Sequence, residues 1–200
     1  MLTKQETGRQ LLHVGIGLLT GLFIYLDILT PLALFLLIIV GLLASLLSKR
    51  IRLPLFSFFL DHFEREEQKK AFPGKGVIFF FIGVLFAMKL FSKDIALAAI
   101  MILTLGDSVS HLVGERFGQI KNIFNGDGKK LLEGTLAGTM AGFLGAVLFV
   151  PAPEALLGSF SAMLVEVVKI DLNENTVDDN LVVPLVAGAV IFLLRKYSFL

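Results

Sequence analysis

The sequence has 200 residues, 56% of them hydrophobic, with a mean hydropathy of +0.83 and a formal net charge of +1, against about 45–50% apolar content in soluble domains. That composition points to an integral membrane protein, and the absence of cysteine excludes disulfides, thiolate nucleophiles and zinc–thiolate sites. Three histidines leave little room for a transition-metal cage, so a metal here would be a hard cation held by oxygen.

A membrane-spanning helix needs about 20 mostly apolar residues. Read in chain order, the apolar runs give seven spans, at 10–26, 31–48, 76–91, 95–113, 134–151, 155–169 and 181–197. Lys4 and Arg9 before the first run resemble the start of a secretory signal, but no A-x-A-like cleavage site follows, and a retained first span is expected. The expected fold is all-α: one polytopic membrane helix bundle over 1–200, with cytoplasmic loops near 49–75, 114–133 and 170–180. Short connections around 27–30, 92–94 and 152–154 alternate with these long, charged ones. The alternation puts the N-terminus and the long loops on one face, together with every Lys and Arg except Lys89, Lys93, Arg195 and Lys196. By the positive-inside rule that face is cytoplasmic. All the acids except Asp27, Asp94 and Glu154 share it, although acids contribute little to orientation. A site that uses both signs of charge is therefore expected there.

Ionisable residues inside spans are costly and point to function. His13 lies in the first span, Asp107 and His111 in the fourth and Glu166 in the sixth, each toward the cytoplasmic end. Asp107 and His111 are four apart and share a helix face, with Gly114 and Gly118 continuing the spacing. The plain alternative is an Asp–His pair satisfying itself at a helix end. Glu115, Arg116, Lys121, Asp127, Lys129, Lys130 and Glu133 follow, with Gly126 and Gly128 flanking Asp127. Cations on a glycine-rich loop beside carboxylates suit a phosphate–magnesium ligand, with Lys and Arg on phosphate oxygens and carboxylates on the metal. Neither G-x-x-x-x-G-K-[ST] nor G-x-G-x-x-G occurs.

Glycines recur along the fifth span at 134, 138, 142 and 145, a flat face for close helix packing. Its partner belongs either to this chain or to a second copy, a homodimer through Gly134–Gly145. In loop 49–75, Leu53 to Phe63 reads as an interfacial amphipathic helix, followed by a charge run from Glu64 to Lys70. Asp178, Asp179 and Asn180 precede the last span, as an N-cap cluster or as a magnesium corner.

In order, these motifs are Arg9 with His13, Glu64-Arg65-Glu66 followed by Gly74 and Gly76, and Gly106-Asp107 with Gly114 and Gly118. They continue as Lys130, Glu133-Gly134-Thr135 with Ala137-Gly138, Glu166, and Asp179-Asn180 followed by Pro184. The combination resembles, along nearly the whole chain, the CTP-dependent lipid kinases: dolichol kinase, phytol kinase and the fungal-type diacylglycerol kinase. It is more distantly similar to CTP:phosphatidate cytidylyltransferase. One departure is Gly118-Gln119-Ile120-Lys121, where many relatives carry a second Gly-Lys pair.

The resemblance implies transfer of the γ-phosphoryl group of CTP to the hydroxyl of a membrane isoprenoid alcohol or diacylglycerol. Arg116, Lys121, Lys129 and Lys130, with Gly114, Gly118, Gly134 and Thr135, would hold the triphosphate. Asp107, Glu133, Asp178 and Asp179 would bind Mg2+. Asp107 is also the expected base, with His111 in reserve, and Arg9, His13, Arg65, Glu166 and Asn180 support the site. The expected surroundings are the lipid bilayer of a prokaryotic plasma membrane, with no nucleic acid partner. A cytidylyltransferase making a CDP-lipid is the nearer alternative and a small transporter the farther one.

Overall fold

In the computed structural model, which describes residues 4–64, 66–120, 131–167, 171–172 and 175–197, seven helical rods run back and forth between two ends. They are α1 (Lys4–Tyr25), α2 (Pro31–Ser48), α5 (Lys75–Leu90), a rod made of α6 (Lys93–Met101), a π-helical stretch (Ile102–Asp107) and α7 (Ser108–Phe117), then α8 (Leu132–Ala146), α9 (Ala152–Val167) and α10 (Asp179–Lys196). Two short helices, α3 (Pro54–Phe63) and α4 (Glu66–Ala71), lie between α2 and α5. A two-residue antiparallel pair, β1 (Asp171–Leu172) with β2 (Asn175–Thr176), is the only strand structure among the described residues.

Local sequence sets several of these boundaries. Thr30 caps α2, its hydroxyl accepting the Ala33 N–H at 3.2 Å, and Pro31 suits the first helical position because its missing N–H would have had no partner. Gly74 starts α5 from φ +77°, a conformation that a side chain disfavours. Asp178 caps α10 through the Asn180 N–H, as the Asp178-Asp179-Asn180 cluster suggested. Pro184 has no N–H for the Asn180 carbonyl one turn back. That carbonyl lies against Gly83 of α5, where a Cβ would be 2.2 Å away.

The rod from Lys93 to Phe117 is the core. Ile95 to Leu103 are all buried, with Ile100, Ile102 and Leu103 fully so. α1 and α8 pack on it, α9 packs on α8, and α10 closes against α9, α5 and α6; α2 sits outside, on α5 and α3. Among the described residues two helices are long and apolar enough to cross a membrane, Pro31–Ser48 and Lys93–Phe117.

The glycine face of α8 is spent inside the chain. A Cβ on Gly134 would fall 2.5 Å from the Ser110 carbonyl, one on Gly138 2.7 Å from that of Gly106, and one on Gly142 2.5 Å from Ser159 Oγ. Of the two partners that the spacing left open, the chain's own helices take these glycines, which are buried against them. The opposite side of α8 turns Leu136, Met140 and Leu144 outward.

One end of the bundle gathers the three short connections. Lys93 Nζ bonds the Tyr25 carbonyl at 3.0 Å and Asp27 at 2.6 Å. Arg195 reaches Asp94 at 2.6 Å and Glu154 at 2.7 Å. The acids left off the charged face in the sequence thus meet Lys93 and Arg195, two of the four cations left off it. The long connections are at the other end.

Candidate functional site

At that other end, α1 and the π–α7 rod face each other with matched polar groups. His13 Nε2 lies 4.0 Å from Asp107 Oδ2. Two turns earlier on α1, Glu6 Oε1 is 2.6 Å from His111 Nε2, accepts from Arg9 Nε at 3.0 Å, and is 3.3 Å from Gln10 Nε2. His111 is also 3.3 Å from Glu115. The Asp107–His111 pair allowed by their spacing gives way to two contacts across the helix interface. Behind this rim, Ser110 Oγ donates to the buried Glu166 at 3.4 Å, and the Thr135 hydroxyl turns back to the Leu131 carbonyl at 3.4 Å.

A cavity of about 460 Å³ opens beside the rim, between α1, α2, α3 and α5, within the roughly 300–1,000 Å³ typical of small-ligand sites. Its body is apolar, with Ile16, Leu37, Ile38, Phe59, Leu60 and Phe80 in its walls. Its polar lining includes Arg9, Gln10, His13, Asp107 and Asn180. His13 Nε2 and Asn180 Oδ1 are buried and have no hydrogen-bond partner among the described residues. Asn180 donates its amide to Asp178 at 2.9 Å, and Asp178 is 3.5 Å from Lys75 Nζ, so the capping cluster holds Asn180 in place.

Two carboxylates fix the loops around this end. Glu64 accepts the Gly74 N–H at 2.9 Å and pins the far end of the α3–α4 segment; burial pushes its carboxyl above the usual range, with the N–H bonds opposing. Glu133 accepts the Gln119 and Ile120 N–H groups at 3.0 and 3.1 Å. Its own backbone N–H and those two hold its carboxyl below the usual range.

The structure therefore brings His13, Asp107 and Asn180 to one cavity and His111 to the adjoining rim, with Arg9 between them. Gly114 and Gly134 form the α7–α8 crossing, and Gly118, just past α7, packs on Leu131. Arg116 is exposed over the Phe117 ring, at 5.5 Å. Lys121, Lys129, Lys130 and Arg65 lie outside the described residues. Asp179 opens α10 beside Asp178. Among the described residues, no three of the acids and histidines are placed to hold a metal ion. Glu133 is engaged by two backbone N–H groups and Asp178 by Lys75 and Asn180, so the expected magnesium ligands do not form one centre there.

Sequence reasoning missed Glu6, Gln10 and the cavity. A signal for Glu6 was present: it stands seven residues before His13, two turns along the same helix face. The π-helical stretch had no such signal, although a π-bulge often marks a functional position.

No family model matches the chain, and no solved structure matches it. An uncharacterised protein of Methanocaldococcus jannaschii is 27% identical over 191 residues, covering 94% of this chain and 93% of its own. CTP-dependent diacylglycerol kinase 1 of Eremothecium gossypii is 29% identical, covering 98% of this chain and 69% of that protein. The enzyme of the same name from Schizosaccharomyces pombe is 26% identical, covering 96% and 94%. Over nearly all of its own length the chain is thus similar to two CTP-dependent diacylglycerol kinases, in agreement with the resemblance carried by the ordered motifs.

Proposed function

We propose that this protein is a CTP-dependent lipid kinase embedded in a membrane by its seven rods, with its site on the cytoplasmic face. In this reading it transfers the γ-phosphoryl group of CTP to the hydroxyl of a membrane lipid alcohol, an isoprenoid alcohol or a diacylglycerol. The observation that carries the reading is the cavity: apolar walls suit a lipid, and Asp107 shares its polar lining with a buried histidine nitrogen and amide oxygen that have no partner among the described residues. Both named relatives are kinases of this kind, and neither lends support to the cytidylyltransferase alternative.

The chemistry follows from the rim. The lipid hydroxyl donates to Asp107, which takes the proton as the oxygen attacks the γ-phosphorus. The new O–P bond forms, the bond to the β-phosphate oxygen breaks, and CDP leaves. Arg116 and the lysines of the 121–130 segment provide the cations that such charge requires. His13 faces Asp107 and positions its carboxylate, and the Glu6–His111 contact fixes α7 against α1.

The test is to incubate purified protein with CTP or ATP and a panel of polyprenols, phytol and diacylglycerol. Phosphorylated lipid and CDP are expected. Pyrophosphate in place of CDP would identify a cytidylyl transfer, and absence of both products under every condition would refute both readings. Asp107→Asn should lower turnover by about 10²–10⁴, the contribution of a positioned base, with insertion and thermal stability retained.

A further inference from the structure

The cavity also has a side entrance. α1 and α2 are consecutive in sequence and both touch α3, yet otherwise pack on different neighbours, α1 on α6 and α7, and α2 on α5. On α2, the buried Leu34, Ile38 and Ser45 mark the stripe turned to α5. At 3.6 residues per turn, Leu37, Gly41 and Ala44 form a second stripe beside it, and Val40 lies nearly opposite the α5 stripe. These four residues all line the cavity, while Leu37 and Val40 are 43% and 62% exposed. The cavity thus reaches the outer surface on the flank of α2 turned from α5, toward the α1 wall of Leu12, His13 and Ile16.

We infer that this gap is a lateral entry slot for the aliphatic chain of a long-chain alcohol, which slides in from the bilayer between α1 and α2 and lies along Leu37 to Ala44. Its identity as the acceptor rests on the kinase reading; the slot itself rests on the shape and chemistry of the cavity. The hydroxyl end is specified by the polar lining. An alcohol offers one O–H donor, and Asp107, the unprotonated His13 Nε2 and Asn180 Oδ1 are acceptors placed to take it. A hydrocarbon carries no donor for any of them and forgoes that hydrogen bond. α3 roofs the slot from the aqueous side with Phe56, Phe59 and Phe63, so water-borne entry meets an aromatic cover and bilayer entry meets an aliphatic opening.

The experiment uses the full chain in lipid nanodiscs, without nucleotide, and hexadecanol bearing a diazirine on its chain. After photolysis, label is expected on peptides covering Leu37 to Ala44 and Leu12 to Ile16, displaced by plain hexadecanol but not by hexadecane. Gly76 lines the cavity and a Cβ there meets nothing within 4 Å, so Gly76→Leu fills space without a backbone clash. It should cut the displaceable label by about tenfold, as expected for an overfilled site. Ala44→Phe narrows the slot from α2 and should do the same, which guards against a folding defect in either variant. Label spread over the outward faces of α8 and α9, unchanged by both variants, would overturn the slot. Since the assay contains no CTP, that failure leaves the kinase reading standing, and a chain that binds alcohol without phosphorylating it would sink only the latter.

Discussion

Gly138→Ala adds one methyl at the α8 crossing, and the structure sets its effect. The new Cβ would sit 2.7 Å from the Gly106 carbonyl oxygen, 2.7 Å from Ser110 Cβ and 3.0 Å from Met163 Sδ. Two of these neighbours belong to the buried central rod and cannot swing aside, so α8 must move or the rod must bend. Overpacking of this kind costs about 1–3 kcal/mol. Alanine returns about 1 kcal/mol through its better helix propensity, leaving a net loss of up to about 2 kcal/mol. For a chain of this size each kcal/mol shifts Tm by roughly 2–4 °C, so a fall of up to about 8 °C is expected. Gly15→Ala is the control. It makes the same chemical change inside α1, where a Cβ meets nothing within 4 Å, and should raise Tm by about 2–4 °C through helix propensity alone. Circular-dichroism melts in one detergent compare the two directly. Because Gly106 adjoins Asp107, Gly138→Ala should also lower turnover, whereas Gly15→Ala should not. If Gly138→Ala proved as stable as Gly15→Ala, the α8 glycines would not be packed inside the chain, and the homodimer reading would return.

The other expectations concern the cavity and the two ends. Asn180→Ala should raise KM for the alcohol about tenfold, the worth of one buried hydrogen bond, with KM for CTP unchanged; an unchanged KM for the alcohol would remove Asn180 Oδ1 from the site. The Glu133 carboxyl lies below the ordinary 4.5 in the fold, so its hold on the Gln119 and Ile120 amides is present above that value and lost as pH falls through the lowered one. Hydrogen exchange of those two amides, corrected for intrinsic rate, should show protection fading on acidification, and Glu133→Gln should flatten the dependence; protection independent of pH in the parent chain would contradict the bond. Arg195→Ala strands Glu154, which is 8% exposed. With Arg195 itself 39% exposed at its side chain, screening holds the cost to about 1–2 kcal/mol. A lower Tm is expected, partly restored by adding Glu154→Gln, and an unchanged Tm would mean that the pair is ornamental.

Hydropathy alone located the rods because each is an apolar run between polar punctuation. The second span, 31–48, coincides with α2 because Thr30-Pro31 is a start signal and Lys49 a polar stop. Elsewhere apolarity misled about shape. The fifth span was read to 151, yet α8 stops at Ala146, since Val147 to Val150 form an apolar turn ahead of Pro151, which disfavours helix in the residue before it. The sixth begins at Ala152, earlier than expected, because Pro153 is tolerated in a first turn. The polar rim was legible residue by residue, as ionisable groups in apolar runs stand out. Its pairing was not: Glu6 meeting His111 and His13 facing Asp107 depend on how two helices cross, and the π-helical stretch changes hydrogen bonding without changing composition. The cavity was equally hidden, because it arises from where α1 and α2 fail to meet.

The short-connection end bears on how that cavity can breathe. Lys93 fastens the α1–α2 turn to the start of α6, and Arg195 ties α10 to Asp94 and Glu154. With one end cross-braced, any parting of α1 from α2 would be hinged at the Asp27 turn, where φ is +58°. α2 has 18 residues, about 27 Å at 1.5 Å per residue. A tilt of about 10° at that hinge would carry Ser48 about 5 Å sideways while Thr30 stays almost still, widening the slot at the expense of the burial of Ile38 and Ser45.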